Sequence, residues 1–439
     1  MADKSTSASP YRRSPRQRRL QRLGHRIAER LAPQLFAVAM NPRWAVLLSR
    51  RPFLPTRAVR RLRSPARAWT EPVPAPPEEL RTVPGIQLDP RAQQLAFEQA
   101  PLHDFFRLHA DTLRTLMPKA TIMAPHVTTL ARVETPTENL KERQDIEPTR
   151  PPVLTAPAKL TAQMKREAAA LGISGCGVAV HDPKYTFAEY VGNAVGDRVV
   201  ICIQEQNFDA TQRIPSHRSE EAALSTYGEL EDRLVALAEW LRSQGYRARP
   251  ETYLSESMVI PYAVAAGLGQ LGLNGQLLTP YAGSRCRINI LTTNAPLDAD
   301  EPVDYGLEGV CDRCQICVRR CPVGAIPNRR KESRGVTKAK LNTKRCLPLM
   351  VQSSGCSICM KTCPVQRYGL DAVLTEYESS GRILGKDTDD LEGFDWPVDG
   401  RHYGPGETPH VPESVTQPPS FAFDPDRKTP PEGQTNFLS

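Results

Sequence analysis

The chain has 439 residues, 40% hydrophobic and 24% charged, enough for two or three domains with sizeable cores. Its formal charge of +8 averages two unlike parts: residues 1–67 hold 17 Lys/Arg against Asp3 and Glu29 alone, while the rest carries 40 basic and 47 acidic groups. No run of 18 apolar residues occurs, so no transmembrane helix is expected, and 41 prolines point to long stretches outside regular structure.

Residues 1–67 read as a basic arm with weak helical periodicity around Ile27–Leu48. A solvated tail, or an extension upstream of the true start, is favoured over contact with nucleic acid or an anionic membrane. The composition is also that of an organellar transit sequence. Pro33, Asn41, Pro42 and Arg43 break the apolar stretch Leu31–Ser49, and no clean apolar segment follows Arg12-Arg13, so neither a secretory nor a twin-arginine signal is expected. A cytoplasmic, reducing location follows, where crowded cysteines are metal ligands before they are disulfides.

Residues 68–155 are Pro-rich, with apolar patches at Leu102–Phe106 and Leu113–Met117, and are expected to wrap the body. Over 156–303 the pattern becomes that of an α/β domain. Met164–Leu171 reads as a helix and Gly175–Val180 as a short buried strand. Val199–Ile203, VVICI, is a β-branched apolar run of strand length. Leu230, Leu234, Leu237 and Leu241 recur at helical spacing before Gly245, and Ile288–Thr293 is a further strand. Residues 304–370 form a cysteine-rich domain. Residues 371–439 are an extension whose prolines recur from Pro397, so an extended or surface-bound tail is expected.

Eight of the eleven cysteines lie between Cys311 and Cys363. The run is Cys311-x2-Cys314-x2-Cys317-x3-Cys321-Pro322, then Cys346, then Cys356-x2-Cys359-x3-Cys363-Pro364. Three thiolates on a tight loop can hold three irons of a 4Fe–4S cubane, and the displaced fourth turns toward a second cubane. On that logic Cys311, Cys314, Cys317 and Cys363 form one ligand set, and Cys321, Cys346, Cys356 and Cys359 the other. Structural zinc also uses Cys-x2-Cys, but the repeated spacing and the proline after each final cysteine favour two clusters. Cys176 and Cys202 sit in strand-like apolar segments and read as packing residues, as does Cys286 between two arginines.

Residues 266–293, AGLGQLGLNGQLLTPYAGSRCRINILTT, run into NAPLDADEPVDYGLEGVCDRC, and residues 164–180 read MKREAAALGISGCGVAV. Over about 155–370 the chain resembles the cobalamin-dependent reductases that comprise reductive dehalogenases and epoxyqueuosine reductases. The resemblance implies an α/β (α+β), nitroreductase-like cobalamin-binding domain followed by a two-cluster ferredoxin-like domain, with long irregular extensions at both ends. It implies two 4Fe–4S clusters and a cobalamin whose cobalt they reduce. It also implies a small organic substrate, organohalides among the candidates, and an external electron donor such as ferredoxin or flavodoxin. Cofactor contact is expected at Gly267, Gly269, Gly272, Gly275, Gly283 and Ser284, where glycine admits close approach.

The short gap from Cys346 to Cys356 is dehalogenase-like. Ser225-Thr226-Tyr227 stands where the queuosine enzymes carry Asp-Tyr-His, and Leu273 replaces a basic residue common in the family's glycine stretch. Tyr227, expected just ahead of the Leu230–Leu241 helix, is the candidate proton donor. Phenols are weak acids, with pKa ordinarily near 10, so a cation beside the phenolate is needed; Arg285 or Arg287 is expected there. The alternatives are a queuosine-type enzyme acting on tRNA, and a noncatalytic electron-transfer or cobalamin-handling protein.

Overall fold

A computed structural model of the chain describes residues 73–81 and 132–411, apart from 188, 189, 334, 335, 354 and 398. The basic arm, the patches Leu102–Phe106 and Leu113–Met117, and the tail beyond 411 lie outside the described residues. All described residues belong to one compact unit, Pro55–Ser439.

Four strands form the central sheet: β1 (Gly175–Val180), β2 (Arg198–Glu205), β3 (Ala248–Pro250) and β6 (Cys286–Thr293), in the order β1-β2-β6-β3. β2 reads RVVICIQE with five consecutive residues buried, as a strand covered on both faces must be. Every ladder in this sheet is antiparallel. The alternation of strands and helices along the chain therefore gives an α+β sheet without parallel crossovers.

One face of the sheet carries helices α2 (Pro157–Ala170) and α4 (His217–Ser243). Leu160, Met164, Leu230, Leu234, Leu237 and Leu241 pack there on Val178, Val200, Cys202 and Leu291. The opposite face carries α5 (Val259–Ala265) through Tyr262 and Ala263. Helix α4 begins well before its leucine stripe because Ser216 and Ser219 cap it reciprocally, each side chain accepting from the other's backbone N–H. Tyr227 is therefore inside α4, a correction to its expected place ahead of the helix.

A helix over residues 132–142, α1, and the segment to 155 run along α4. Leu140 joins the core. Arg242, buried, donates to the carbonyls of Arg143, Gln144 and Ala248. Between β2 and α4 the chain also forms α3 (Phe208–Gln212), and between α5 and β6 a small hairpin of β4 (Gln270–Leu271) and β5 (Leu277–Leu278).

The cysteine-rich portion is a set of short helices, α6 (Leu307–Cys314), α7 (Ile316–Arg319), α8 (Thr343–Gln352), α9 (Ile358–Lys361) and α10 (Pro364–Tyr368), with a hairpin of β7 (Lys331–Ser333) and β8 (Val336–Lys338). Leu80, from the upstream segment, is fully buried among Leu307, Val310 and Leu370. Downstream, β9 (Phe394–Trp396) pairs with β10 (Arg401–Tyr403). Trp396 is fully buried beside Ile358 and Met360. Buried Arg320 donates to the carbonyls of Glu392, Tyr403 and Glu407. From Pro397 the described chain runs along the surface, where Tyr403 of β10 packs on Phe394.

Candidate functional site

Two groups of thiols adjoin in the cysteine-rich portion. Cys311, Cys314, Cys317, Cys359 and Cys363 line one apolar chamber. Burial pushes the Cys311 thiol up to about 12, and nearby Cys363 adds to it. Burial raises Cys314 and Cys317 as well, again with Cys363 among their charged neighbours. A second group has the same character. Burial pushes Cys346 up to about 11, with Cys321 beside it, and Cys356 up to about 12, with Cys346 and Cys321 beside it. Cys359 is raised by burial and by Cys356, Cys346 and Cys321. Among the described residues, no three His, Cys, Asp or Glu side chains are arranged to hold a single ion. A cubane asks for something else, one thiolate on each iron.

The two Cys-x2-Cys loops share a backbone device. Gln315 after Cys314 and Ser357 after Cys356 have φ of 57°, left-handed at non-glycine residues, a conformation that costs about 1–3 kcal/mol and clusters at functional sites. It turns successive N–H groups inward, as an anion nest does. Backbone N–H groups of Ile316 and Ile358 accordingly reach Cys314 and Cys356, and those of Val365 and Gln366 reach Cys363. Ala325 N donates to Cys321 Sγ at 3.2 Å. Such bonds favour thiolates and tune the potential of a cluster.

The glycine-rich stretch meets this chamber in an unforeseen way. Leu273, Asn274 and Leu278 line it, and Leu273 N–H bonds Cys311. The hydrophobic residue at 273 is an apolar wall of the thiol chamber. What most of the stretch's glycines admit is the chain's own backbone: a Cβ would lie 2.6 Å from Glu301 O at Gly267, 2.3 Å from Leu278 O at Gly269 and 2.6 Å from Gln366 N at Gly283. At Gly272 it would meet Asn274 and Leu278, whereas Gly275 is nearly open, with Leu341 Cβ 3.8 Å away. Ser284 is buried, 3.5 Å from the Asn274 amide. At Gly267, Gly269, Gly272 and Gly283, expected as ligand contacts, the chain's own atoms fill the space that a Cβ would take. Gly283 docks on α10 at Gln366, and just beyond that helix Leu370 N donates to Pro280 O at 2.8 Å.

Tyr227, half-buried on α4, faces the ends of β2 and β6. The Arg287 guanidinium lies 5.3 Å from its ring centroid, and the Tyr253 ring centroid is 5.3 Å away. Arg287 is fixed by Gln206 Oε1 at 2.6 Å and its neighbour's carbonyl, Cys286 O, at 2.8 Å. Arg285 points elsewhere: it bonds Gln206 O at 2.8 Å, pairs with Glu205 at 3.2 Å, and stacks on Phe208 at 5.3 Å. Arg367 of α10 stacks on the same ring. The cation against Tyr227 is therefore Arg287, and Arg285 tethers the sheet to the thiol-bearing portion. Around them, Gln204 Oε1, Glu205 Oε1, both Asn289 amide atoms and the Nε atoms of Arg285 and Arg287 are buried without a hydrogen-bond partner.

Two neighbours were missed in the sequence. Tyr253 carries no local pattern to betray it. Glu231, one turn beyond Tyr227, is an acid inside the leucine stripe, which was a usable signal. It is fully buried, accepting from Thr137 Oγ1 at 2.6 Å and Tyr253 N at 2.7 Å. Burial pushes its carboxyl up to about 7 from an ordinary 4.5. A raised acid favours the folded state below the unfolded pKa and loses that contribution as pH rises through the folded one. The wild type should thus lose roughly 3 kcal/mol relative to Glu231→Gln between pH 4.5 and 7.5. Urea unfolding of both proteins across that range checks this; parallel pH profiles would refute it.

No family model matches the chain. A tetrachloroethene reductive dehalogenase of Sulfurospirillum multivorans is 34% identical over 137 residues, 29% of this chain and 27% of that protein. One from Desulfitobacterium hafniense is 30% identical over 181 residues, 38% of this chain and 32% of the relative. An epoxyqueuosine reductase of Synechococcus sp. (strain RCC307) is 32% identical over 151 residues, 31% and 43% of the two chains. The chain is homologous to reductive dehalogenases and epoxyqueuosine reductases. It spans less than half the length of each of these curated relatives. The solved structure of a catabolic reductive dehalogenase, NpRdhA, superposes with a TM-score of 0.59 at 22% identity, covering 75% of this chain and 53% of that one. The fold resembles that of the solved dehalogenase over this shared part. Among the described residues, no helix is long and apolar enough to cross a membrane.

Proposed function

We propose that the chain is a cytoplasmic, cobalamin- and iron–sulfur-dependent reductase of a small organic substrate, organohalides foremost. The observation that carries this reading is the pair of adjoining thiol groups, four cysteines each, joined to the ends of β2 and β6, where Arg287 meets Tyr227 of α4. Cys311, Cys314, Cys317 and Cys363 would hold one 4Fe–4S cluster and Cys321, Cys346, Cys356 and Cys359 the other.

The fit of a corrinoid rests on the partnerless buried groups at the ends of β2 and β6. Gln204, Asn289, Arg285 and Arg287 are hydrogen-bonding groups of the kind that a ligand rimmed with amides satisfies. A related solved structure is described as suggesting a mechanism for B12-dependent dehalogenation. When bound, cobalamin supplies a low-valent cobalt nucleophile, and the clusters supply electrons one at a time. The protein's own part is to orient the substrate, exclude water and deliver a proton. Tyr227 donates its hydroxyl proton to the carbon that loses its leaving group, and Arg287 stabilises the phenolate left behind. Gly267, Gly269, Gly272, Gly275, Gly283 and Ser284 shape the hairpin between the two portions.

Anaerobic purification should return about eight irons per chain, with cobalt at one per chain. Halogenated aromatics and alkanes are then screened with a strong one-electron reductant. Stoichiometric zinc in place of iron would overturn the redox reading; turnover of an epoxyqueuosine-bearing stem–loop alone would redirect it to tRNA modification. Ser225, in place of the queuosine enzymes' acid, favours the dehalogenase-like reading.

A further inference from the structure

The body outside the arm is mildly acidic, yet one stretch of it is not. From Arg313 to Arg345 there are eleven Lys/Arg and a single acid, Glu332. This segment spans the interval between the two cysteine triplets, and the ligand reading alone does not ask for its charge. Arg313, Arg319, Arg329, Lys331, Lys340 and Arg345 are exposed. Some of the charge is used internally: Arg330 pairs with Glu308 and Asp312, and Arg319 with Asp387 and Glu392.

The strand pairing adds a second observation. In the β7–β8 hairpin Lys331 lies directly opposite Lys338, so the pairing gathers positive charge at one place on the surface. The residues on either side of the hairpin are tied to the first cysteine loop, to Cys321 and to one another just ahead of Cys346. Gln315 Nε2 donates to Asn328 O at 3.5 Å, Asn342 N to Ala325 O at 2.8 Å and Arg345 Nη1 to Gly324 O at 3.4 Å, while Ala325 N bonds Cys321 Sγ.

We propose that the basic segment 313–345 is the docking surface for an acidic one-electron carrier protein, of ferredoxin or flavodoxin type. The proposal rests on the cluster reading above. In the encounter the reduced carrier gives up one electron and a cluster gains it, with no bond made or broken. The surface meets two requirements of such a donor. Charge complementarity speeds encounter of weakly bound redox partners, whose interfaces are small. Placement over the cysteine loops keeps the transfer distance short. A nucleic acid would satisfy the charge but gives no reason for the segment to be tied to the thiol loops.

The test uses the full-length, iron-loaded protein and a reduced plant-type ferredoxin, following cluster bleaching by anaerobic stopped flow. Charge reversal at Arg329→Glu with Lys331→Glu should slow the second-order step tenfold or more at low ionic strength. The wild-type rate should fall with salt toward that of the variant. Reduced methyl viologen, a cation that gains nothing from a basic patch, should reduce the variant at least as fast as the wild type. If reversal disturbs iron loading, Arg329→Gln with Lys331→Gln replaces it, with a smaller slowing expected. An unchanged ferredoxin rate overturns the proposal, as does equal slowing with both reductants. Loss of binding to an RNA stem–loop with ferredoxin kinetics intact would make this a nucleic-acid surface. A wild type that carries no iron would instead fail the cluster reading itself, which the iron assay reports separately.

Discussion

Replacing Cys363 with serine should halve the iron content, from about eight per chain to about four, and spare the centre assigned to Cys321, Cys346, Cys356 and Cys359. Cys363 follows Cys359 in sequence, so proximity along the chain would assign it to the second group. The fold sends it the other way. Cys363 lines the chamber of Cys311, Cys314 and Cys317, and its charge adds to the burial that keeps Cys311 and Cys314 protonated in the metal-free protein. Backbone N–H groups of Val365 and Gln366 bond its sulfur, a stabilisation that a serine oxygen would receive without offering a soft thiolate to iron. Since α10 also docks on Gly283, a control is required for simple loosening of that joint. Gln366→Ala, which removes the side chain donating to Lys361 O and bonded by Gln212, should keep about eight irons. Electron paramagnetic resonance of the reduced Cys363→Ser protein should show one centre without the spin coupling of a near pair. Survival of the Cys311 centre and loss of the other would overturn the crossed ligand sets.

Parts of this architecture were legible because they depend on short-range patterns. VVICI announces a strand covered on both faces, and the leucines at 230, 234, 237 and 241 announce a buried helical stripe. The cysteine spacing speaks for itself, since a cubane needs its first three ligands on one loop. What remained hidden depends on capping and on long-range contact. The start of α4 was missed because two serines, Ser216 and Ser219, set it with a reciprocal cap, and neither belongs to the apolar period. The glycine stretch was read as a ligand cradle because glycine spacing reports only that something approaches closely. Leu278 O and Gln366 N proved to be what approaches. The choice between Arg285 and Arg287 could not be made from sequence, since residues two apart on a strand point to the same face. Register decides it: Arg287 pairs across from Gln204 and Arg285 lies beyond the ladder.

Tyr227→Phe should slow turnover by roughly a hundred- to ten-thousandfold, the range for loss of a positioned proton donor, while leaving iron and cobalt content unchanged. The substitution keeps the ring that meets Arg287 and Tyr253 and removes only the hydroxyl. Arg287→Ala should produce a loss of the same order, because the phenolate then lacks its cation. Arg285→Ala should act differently, loosening Glu205 and Phe208 and lowering cofactor retention before it lowers the intrinsic rate. Two other phenols bear on the assignment. Tyr262 lies on the far face of the sheet, donating to Asp182 O at 2.9 Å and accepting from Asp182 N at 3.1 Å; its proton is committed there. Tyr253 is beside Tyr227, but burial and the neighbouring Glu231, Tyr227 and Glu134 push it up to about 12, which makes it a poor acid. Tyr253→Phe should therefore cost much less than Tyr227→Phe. A reversed order would make Tyr253 the donor, with the Glu231 carboxyl that accepts from its backbone N–H as the group holding it in place. A fully loaded Tyr227→Phe protein that turns over at the wild-type rate would remove the tyrosine from the mechanism and leave His217, at the start of α4, or water to supply the proton.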